Sequence, residues 1–254
     1  MYCISSFFSI SLIISIAVMM AAYFAPYDKE SKRFDVAWGL GIAAITLFTF
    51  LYDASFAPKK ILITALALIS SLRLAMHLCY RSGDEANPRY DFWRNKVIKN
   101  SVALFLTQAV LVWLVAFPMI YVNSSSDGEL GILCYLGLFF WLVGYAFEAV
   151  ADYQLNNFLS DRNNTGKVLK TGLWKYSRHP NYFGRILMSW GLWFFASPHF
   201  KAIISPVVIY LLAKRCWGIP AIEEAMIKKI PAYKEYVKNT NLLVPWWPDD
   251  HWDK

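Results

Sequence analysis

Charge and cysteine are both scarce in this chain of 254 residues. Asp, Glu, Lys and Arg together make up 17% of it, and the four cysteines (Cys3, Cys79, Cys134 and Cys216) stand far apart. With no paired spacing among them, a cysteine-based metal site is not expected, and reduced structural thiols are. No helical-repeat period and no low-complexity segment is visible. The positively charged start of a secretory signal is also missing. Met1-Tyr2-Cys3-Ile4-Ser5-Ser6 has no Lys or Arg, so the long apolar run that follows reads as a retained helix. Basic residues are dispersed over many loops, so nucleic acid is not an expected partner.

Apolar residues fill the remainder. The chain is 57% hydrophobic with a mean hydropathy of +0.36, too apolar for an ordinary soluble domain. Several runs reach the roughly 20 apolar residues that cross a bilayer. Seven spans are expected, at about 4–25, 36–57, 60–80, 100–122, 130–150, 182–197 and 202–219. Pro198 and Pro206 interrupt the last two and leave a re-entrant hairpin open there. Lipid forbids open sheet edges, so the expected fold is all-α, a polytopic membrane helix bundle. If the loops alternate sides, twenty of the 25 Lys/Arg residues fall on one side and only Lys59, Lys60 and Lys201 on the other. The positive-inside rule then places the N-terminus outside and the long loops and C-terminal tail in the cytoplasm. The tail ends in Val244-Pro245-Trp246-Trp247-Pro248 and reads as an amphipathic segment on the headgroup layer. Membrane lipids are therefore expected partners.

Polar residues inside apolar spans are the candidates for chemistry. Glu148 and Asp152 are four apart and share a helix face. They suit accepting hydrogen bonds from a cofactor's hydroxyls or amide, or pairing with Arg178 or Arg185 to tie helices together. Arg178-His179-Pro180-Asn181-Tyr182-Phe183-Gly184 concentrates cationic, amide, aromatic and glycine chemistry before an apolar span. Arg178 and His179 supply donors suited to phosphate, and Asn181 and Tyr182 can bind or stack on a ring. A basic anchor needs only charge and leaves the Asn-Tyr-x-Gly part unexplained. Arg73 and His77 share a face of the third span, with Tyr80 at its end and Asp53 as a possible partner for Arg73. Glu223-Glu224, followed by Lys228-Lys229, suits salt-bridge lacing or a second site.

At these residues the sequence resembles the steroid 5-alpha-reductase C-terminal superfamily of membrane enzymes, and within it a little-characterised bacterial branch. The resemblance is carried by Glu148-Ala-x-Ala-Asp152-x-Gln154, by Gly172-Leu173-Trp174-x-Tyr176-x-Arg178-His179-Pro180-Asn181-Tyr182-Phe183-Gly184, and by Pro245-Trp246. It implies one integral membrane domain over 1–254, with 1–125 forming the lipid-substrate half and 126–254 the cofactor half. It implies a bacterial inner-membrane enzyme transferring hydride from NADPH to a conjugated carbon–carbon double bond of a lipophilic substrate. Asp152, Arg178, Asn181 and Tyr182 would be cofactor contacts, with Glu148 and His179 beside them. Arg185 stands where relatives have Glu, and would add a phosphate contact or pair with Glu148. The steroid reductases' Gln-Glu pair is missing from span two. His77 and Tyr80 are the remaining catalytic candidates, Tyr80 as proton donor.

Two other functions remain open. The isoprenylcysteine-type methyltransferases share the Arg-His-Pro-x-Tyr-x-Gly patch and a terminal Glu-Glu…Tyr-x-x-Tyr region, close to Glu223-Glu224, Tyr233 and Tyr236 here. The patch would then hold S-adenosylmethionine. A lipid-binding protein without catalysis is the third reading.

Overall fold

The computed structural model describes residues 4–26, 30–80, 98–197, 199–216 and 219–248. Among them every regular element is helical: α1 (Ile4–Phe24), α2 (Glu30–Asp53), α3 (Pro58–Tyr80), α4 (Ser101–Val115), α5 (Phe117–Ser124), α6 (Ile132–Ser160), α7 (Pro180–Phe195), α8 (Ile204–Leu211), α9 (Ile219–Lys229) and α10 (Tyr233–Asn239). The segment at 81–97 lies outside the described residues.

Helices α1, α2, α3 and α6 are long and apolar enough to cross a membrane. The expected span at 100–122 is broken instead. Helices α4 and α5 meet at a 50° bend and count as a fifth span only if taken together. Pro118, in the first turn of α5, has no N–H for the carbonyl one turn back, so the ladder stops there. The sixth and seventh expected spans are shorter still. The 16 residues of α7 extend about 24 Å, below the roughly 30 Å of a hydrocarbon core. The eight residues of α8 run on into a π-helical turn at Leu212–Cys216. Pro206 sits in the first turn of α8, where its missing N–H costs nothing, and does not interrupt it.

Hydropathy also misplaced some helix ends. Helix α2 begins in polar Glu30-Ser31-Lys32-Arg33, and α6 continues ten residues beyond the apolar run, to Ser160. Apolar composition marks what lipid accepts, whereas the backbone ladder continues into water. Arg33 donates to the carbonyls of Tyr23 and Ala25 at 2.6 and 2.7 Å, capping the end of α1 with positive charge.

The core draws residues from all of α1 to α8, with Phe7, Phe34, Phe105 and Phe195 fully buried. Antiparallel α6 and α7 form the tightest pair. A Cβ on Gly184 would lie 2.4 Å from the Gly144 carbonyl oxygen, and one on Gly137 would lie 2.6 Å from that of Gly191. The two backbones therefore touch at two places seven residues apart on each helix, which small residues alone permit.

Gly184→Val should push the two helices apart and cost roughly 1–3 kcal/mol or more. The melting temperature of the detergent-purified protein reads this. Val150→Leu, an enlargement on the exposed side of α6, should stay within about 0.5 kcal/mol.

Candidate functional site

The α6–α7 contact sets the register of the charged residues. Glu148 lies one helical turn beyond Gly144, and Arg185 follows Gly184, so the two meet across the seam. Arg185 Nη2 is 2.7 Å from Glu148 Oε1 and its Nε is 3.4 Å from Oε2. Of the two roles open to Arg185, the structure shows the internal pair.

Arg73 comes from α3 and bridges both acids. Its Nη2 pairs with Glu148 Oε1, and its Nη1 is 3.0 Å from Asp152 Oδ2. Asp152 Oδ1 accepts from Asn181 Nδ2 at 3.1 Å, and His77 Nε2 stands 3.9 Å from Asp152 Oδ2. The Arg73 guanidinium also lies over the Tyr145 ring, 5.5 Å from its centroid. Glu148 and Asp152 are almost fully buried, at 1% and 5% exposure. Carboxylates at that depth are held only by partners, and two arginines and an amide supply them. Asp53 is not the partner of Arg73. The α2–α3 hairpin places Asp53 at the opposite end, where it pairs with Lys60.

A second cluster lies beside the first, across the start of α7. Arg178 Nε and His179 Nε2 are each 3.1 Å from Glu223 Oε1 on α9. The Arg178 Nε contact is close in distance but not aligned as a hydrogen bond. Arg178 Nη1 also donates to the Val237 carbonyl at 2.8 Å, and its backbone N–H donates to that of Asn241 at 2.8 Å. Tyr236 Oη donates to the Trp174 carbonyl at 2.6 Å, and Ser177 Oγ to that of Leu243 at 2.8 Å. The tail thus folds back onto residues 172–179. Burial holds the phenols of Tyr233 and Tyr236 well above their ordinary range, so both remain protonated. The loop is also fixed to α6: Leu173 N–H donates to Gln154 Oε1 at 3.0 Å, and Trp174 Nε1 to the Ala151 carbonyl at 3.1 Å.

The predicted site residues therefore fall into two adjacent groups. Glu148, Asp152, Asn181, Arg185 and His77 converge, and Arg178 and His179 join the tail. The Tyr182 ring is buried and meets the His179 ring edge-on at 5.7 Å between centroids. Tyr80 is the last residue of α3, and its side chain lies outside the described residues. The sequence left lacing and a second site both open for Glu223-Glu224, and the structure separates the two residues. Glu224 does lace to Lys228, at 2.8 Å. Glu223 instead has Ile227 four residues on, which puts it on the buried face with Ile230, a signal legible in the spacing.

Burial pushes the His179 imidazole below its ordinary range, and Glu223 opposes this only in part. Neutral His179 thus stabilises the fold fully above about pH 6.5, and that contribution is lost as the pH falls from there through the lowered folded value. Melting temperatures taken on either side of about pH 6.5 should show the decline, and His179→Gln should flatten it. In the first cluster, Glu148→Gln leaves two arginines facing one carboxylate and should cost about 3–5 kcal/mol. Adding Arg185→Met to it restores a one-to-one Arg73–Asp152 pair. The double variant should melt higher than Glu148→Gln alone, and a lower melt would refute the shared-carboxylate reading.

The chain is 25% identical to methanethiol S-methyltransferase 1 of Bradyrhizobium diazoefficiens over 244 residues, covering 83% of this chain and 82% of that one. It is 22% identical to an uncharacterized protein of Schizosaccharomyces pombe over 262 residues, covering 89% and 76%. No solved structure matches it. The family model described as protein of unknown function (DUF1295) matches residues 23–240. That span takes in both clusters and most of the helices, and the chain belongs to the DUF1295 family, within the steroid 5-alpha-reductase-like superfamily.

Proposed function

We propose that this protein is a membrane methyltransferase that uses S-adenosylmethionine to methylate a small or lipophilic nucleophile. The observation that carries this reading is the closure of the tail on the Arg178-His179 patch. Glu223, Tyr233 and Tyr236 form the Glu-Glu…Tyr-x-x-Tyr element that the isoprenylcysteine-type methyltransferases share. Here Glu223 contacts Arg178 and His179, and Tyr236 bonds the loop leading into them. The name of the Bradyrhizobium relative points the same way.

Charge supports it independently. Among the described residues of the two clusters, Arg73, Arg178 and Arg185 each already face a carboxylate. Such a balanced donor set suits a cofactor whose own charges nearly cancel. A dinucleotide polyanion calls for unpaired cations. Arg178, His179, Asn181, Tyr182 and Glu223 would hold S-adenosylmethionine, with Asp152 behind Asn181.

When bound, the cofactor supplies an electrophilic methyl whose bond to sulfur breaks toward sulfur as the bond to the nucleophile forms. An S–H or O–H nucleophile gives up its proton. His77 beside Asp152 is the described side chain suited to take it. The NADPH reading leans on Glu148-x-x-x-Asp152-x-Gln154. In this chain those side chains face Arg73, Arg185, Asn181 and the Leu173 N–H.

Titrating the purified protein with S-adenosylmethionine, NADPH and NADH separately should raise the melting temperature saturably with S-adenosylmethionine alone. A shift with NADPH alone would overturn the proposal in favour of hydride transfer, and no shift with any of the three would favour the non-catalytic reading.

A further inference from the structure

A concavity opens at the end of the bundle away from the charged clusters. Helix α7 runs from the charged clusters at its start to Phe195, so the two ends are separated by about 24 Å. The groove lies between the first turns of α1, the α4–α5 bend and the turn at 199–201. Its volume is about 770 Å³, within the roughly 300–1,000 Å³ of small-molecule sites.

Its walls are unusually aromatic. Phe8 meets Trp113, Phe117 and Tyr121 edge-on at 6.1, 5.1 and 4.9 Å between centroids. Tyr121 stacks on His199 at 5.1 Å and 16°. Trp113 Nε1 is satisfied by the Phe8 carbonyl at 3.0 Å, so the indole presents carbon surface to the groove. The shape is thus set by rings that hold one another, which makes the groove a preformed feature.

The charge at its mouth is of one sign. Three lysines lie at this end of the bundle, and two are neutralised: Lys59 is 2.6 Å from Asp127, and Lys60 pairs with Asp53. Asp127 is held below the usual carboxylate range first by its hydrogen bond to Lys59, with His199 contributing least. Lys201 lines the groove and, among the described residues, faces no carboxylate. An apolar, ring-lined slot with one uncompensated ammonium at its rim complements an anionic amphiphile. We propose that the groove binds one acyl chain of an anionic phospholipid drawn from the bilayer, with the headgroup phosphate at Lys201. This assignment is independent of the methyltransferase reading and uses none of its residues.

Native mass spectrometry of the full chain, released from detergent containing equal phosphatidylglycerol and phosphatidylcholine, tests it. The expected result is one retained phosphatidylglycerol, favoured about tenfold or more over phosphatidylcholine. Lys201→Glu should abolish that preference. Ser9→Trp, which fills the groove from α1, should remove the bound lipid while the protein still unfolds in a single cooperative melt. Equal retention of the two lipids overturns the phosphate contact. Phosphatidylglycerol that survives Ser9→Trp overturns the groove, and a dimer that Ser9→Trp dissolves assigns the groove to a second copy of the chain instead.

Discussion

Backbone contact between α6 and α7 is the constraint on which the rest of the site depends. With glycine on both sides at two levels, the helices approach until carbonyl oxygens lie where side chains would otherwise stand. That proximity, with no side chain between them, fixes both the axial register and the rotation of the pair. Glu148 then has one place to go, against Arg185, and Asp152, one turn farther, meets Asn181 at the start of α7. Arg73 enters from α3 and joins the N-terminal half of the bundle to this pair. Packing in a membrane gains little from the hydrophobic effect between helices, so close contact and satisfied polar groups carry the specificity.

Among the described residues, the consequence is a site whose charges are already balanced. Acids buried to this degree are tolerated because arginines and an amide surround them. Its second cluster is built the same way, with Glu223 shared by Arg178 and His179. Arg178 therefore does two things: it belongs to the candidate site, and it ties the tail to the loop before α7. A ligand entering here exchanges with internal partners and gains only the difference between them. This disfavours a strongly anionic dinucleotide more than it disfavours a near-neutral sulfonium cofactor.

Much of this was legible in the sequence. Four of the expected spans stand as helices, because long apolar runs have few alternatives in lipid. The pair of Glu148 with Arg185 was among the alternatives the sequence left open, beside a cofactor contact for each. What could not be read depended on tertiary register. The partner of Arg73 was sought on the neighbouring α2, yet a hairpin puts Asp53 beside Lys60, and the acids of α6 arrive from far along the chain. The bend at Ala116 escaped because hydropathy counts residues and ignores breaks in the backbone ladder, whereas a re-entrant hairpin had been left open where the short α7 and α8 stand. Glu223 and Glu224 were treated as one pair, for lacing or for a site, although the helical face that Glu223 shares with Ile227 and Ile230 distinguishes the two.

Closure of the tail over the Arg178 patch to form a cofactor site is the central claim. Ultraviolet crosslinking of radiolabelled S-adenosylmethionine to the detergent-purified protein, followed by peptide mapping, tests it directly. The account predicts saturable labelling confined to peptides containing Arg178–Tyr182 and Glu223–Tyr236, competed by unlabelled S-adenosylmethionine and not by NADPH. Labelling that NADPH displaces, or that maps only to segments away from both peptides, would contradict it.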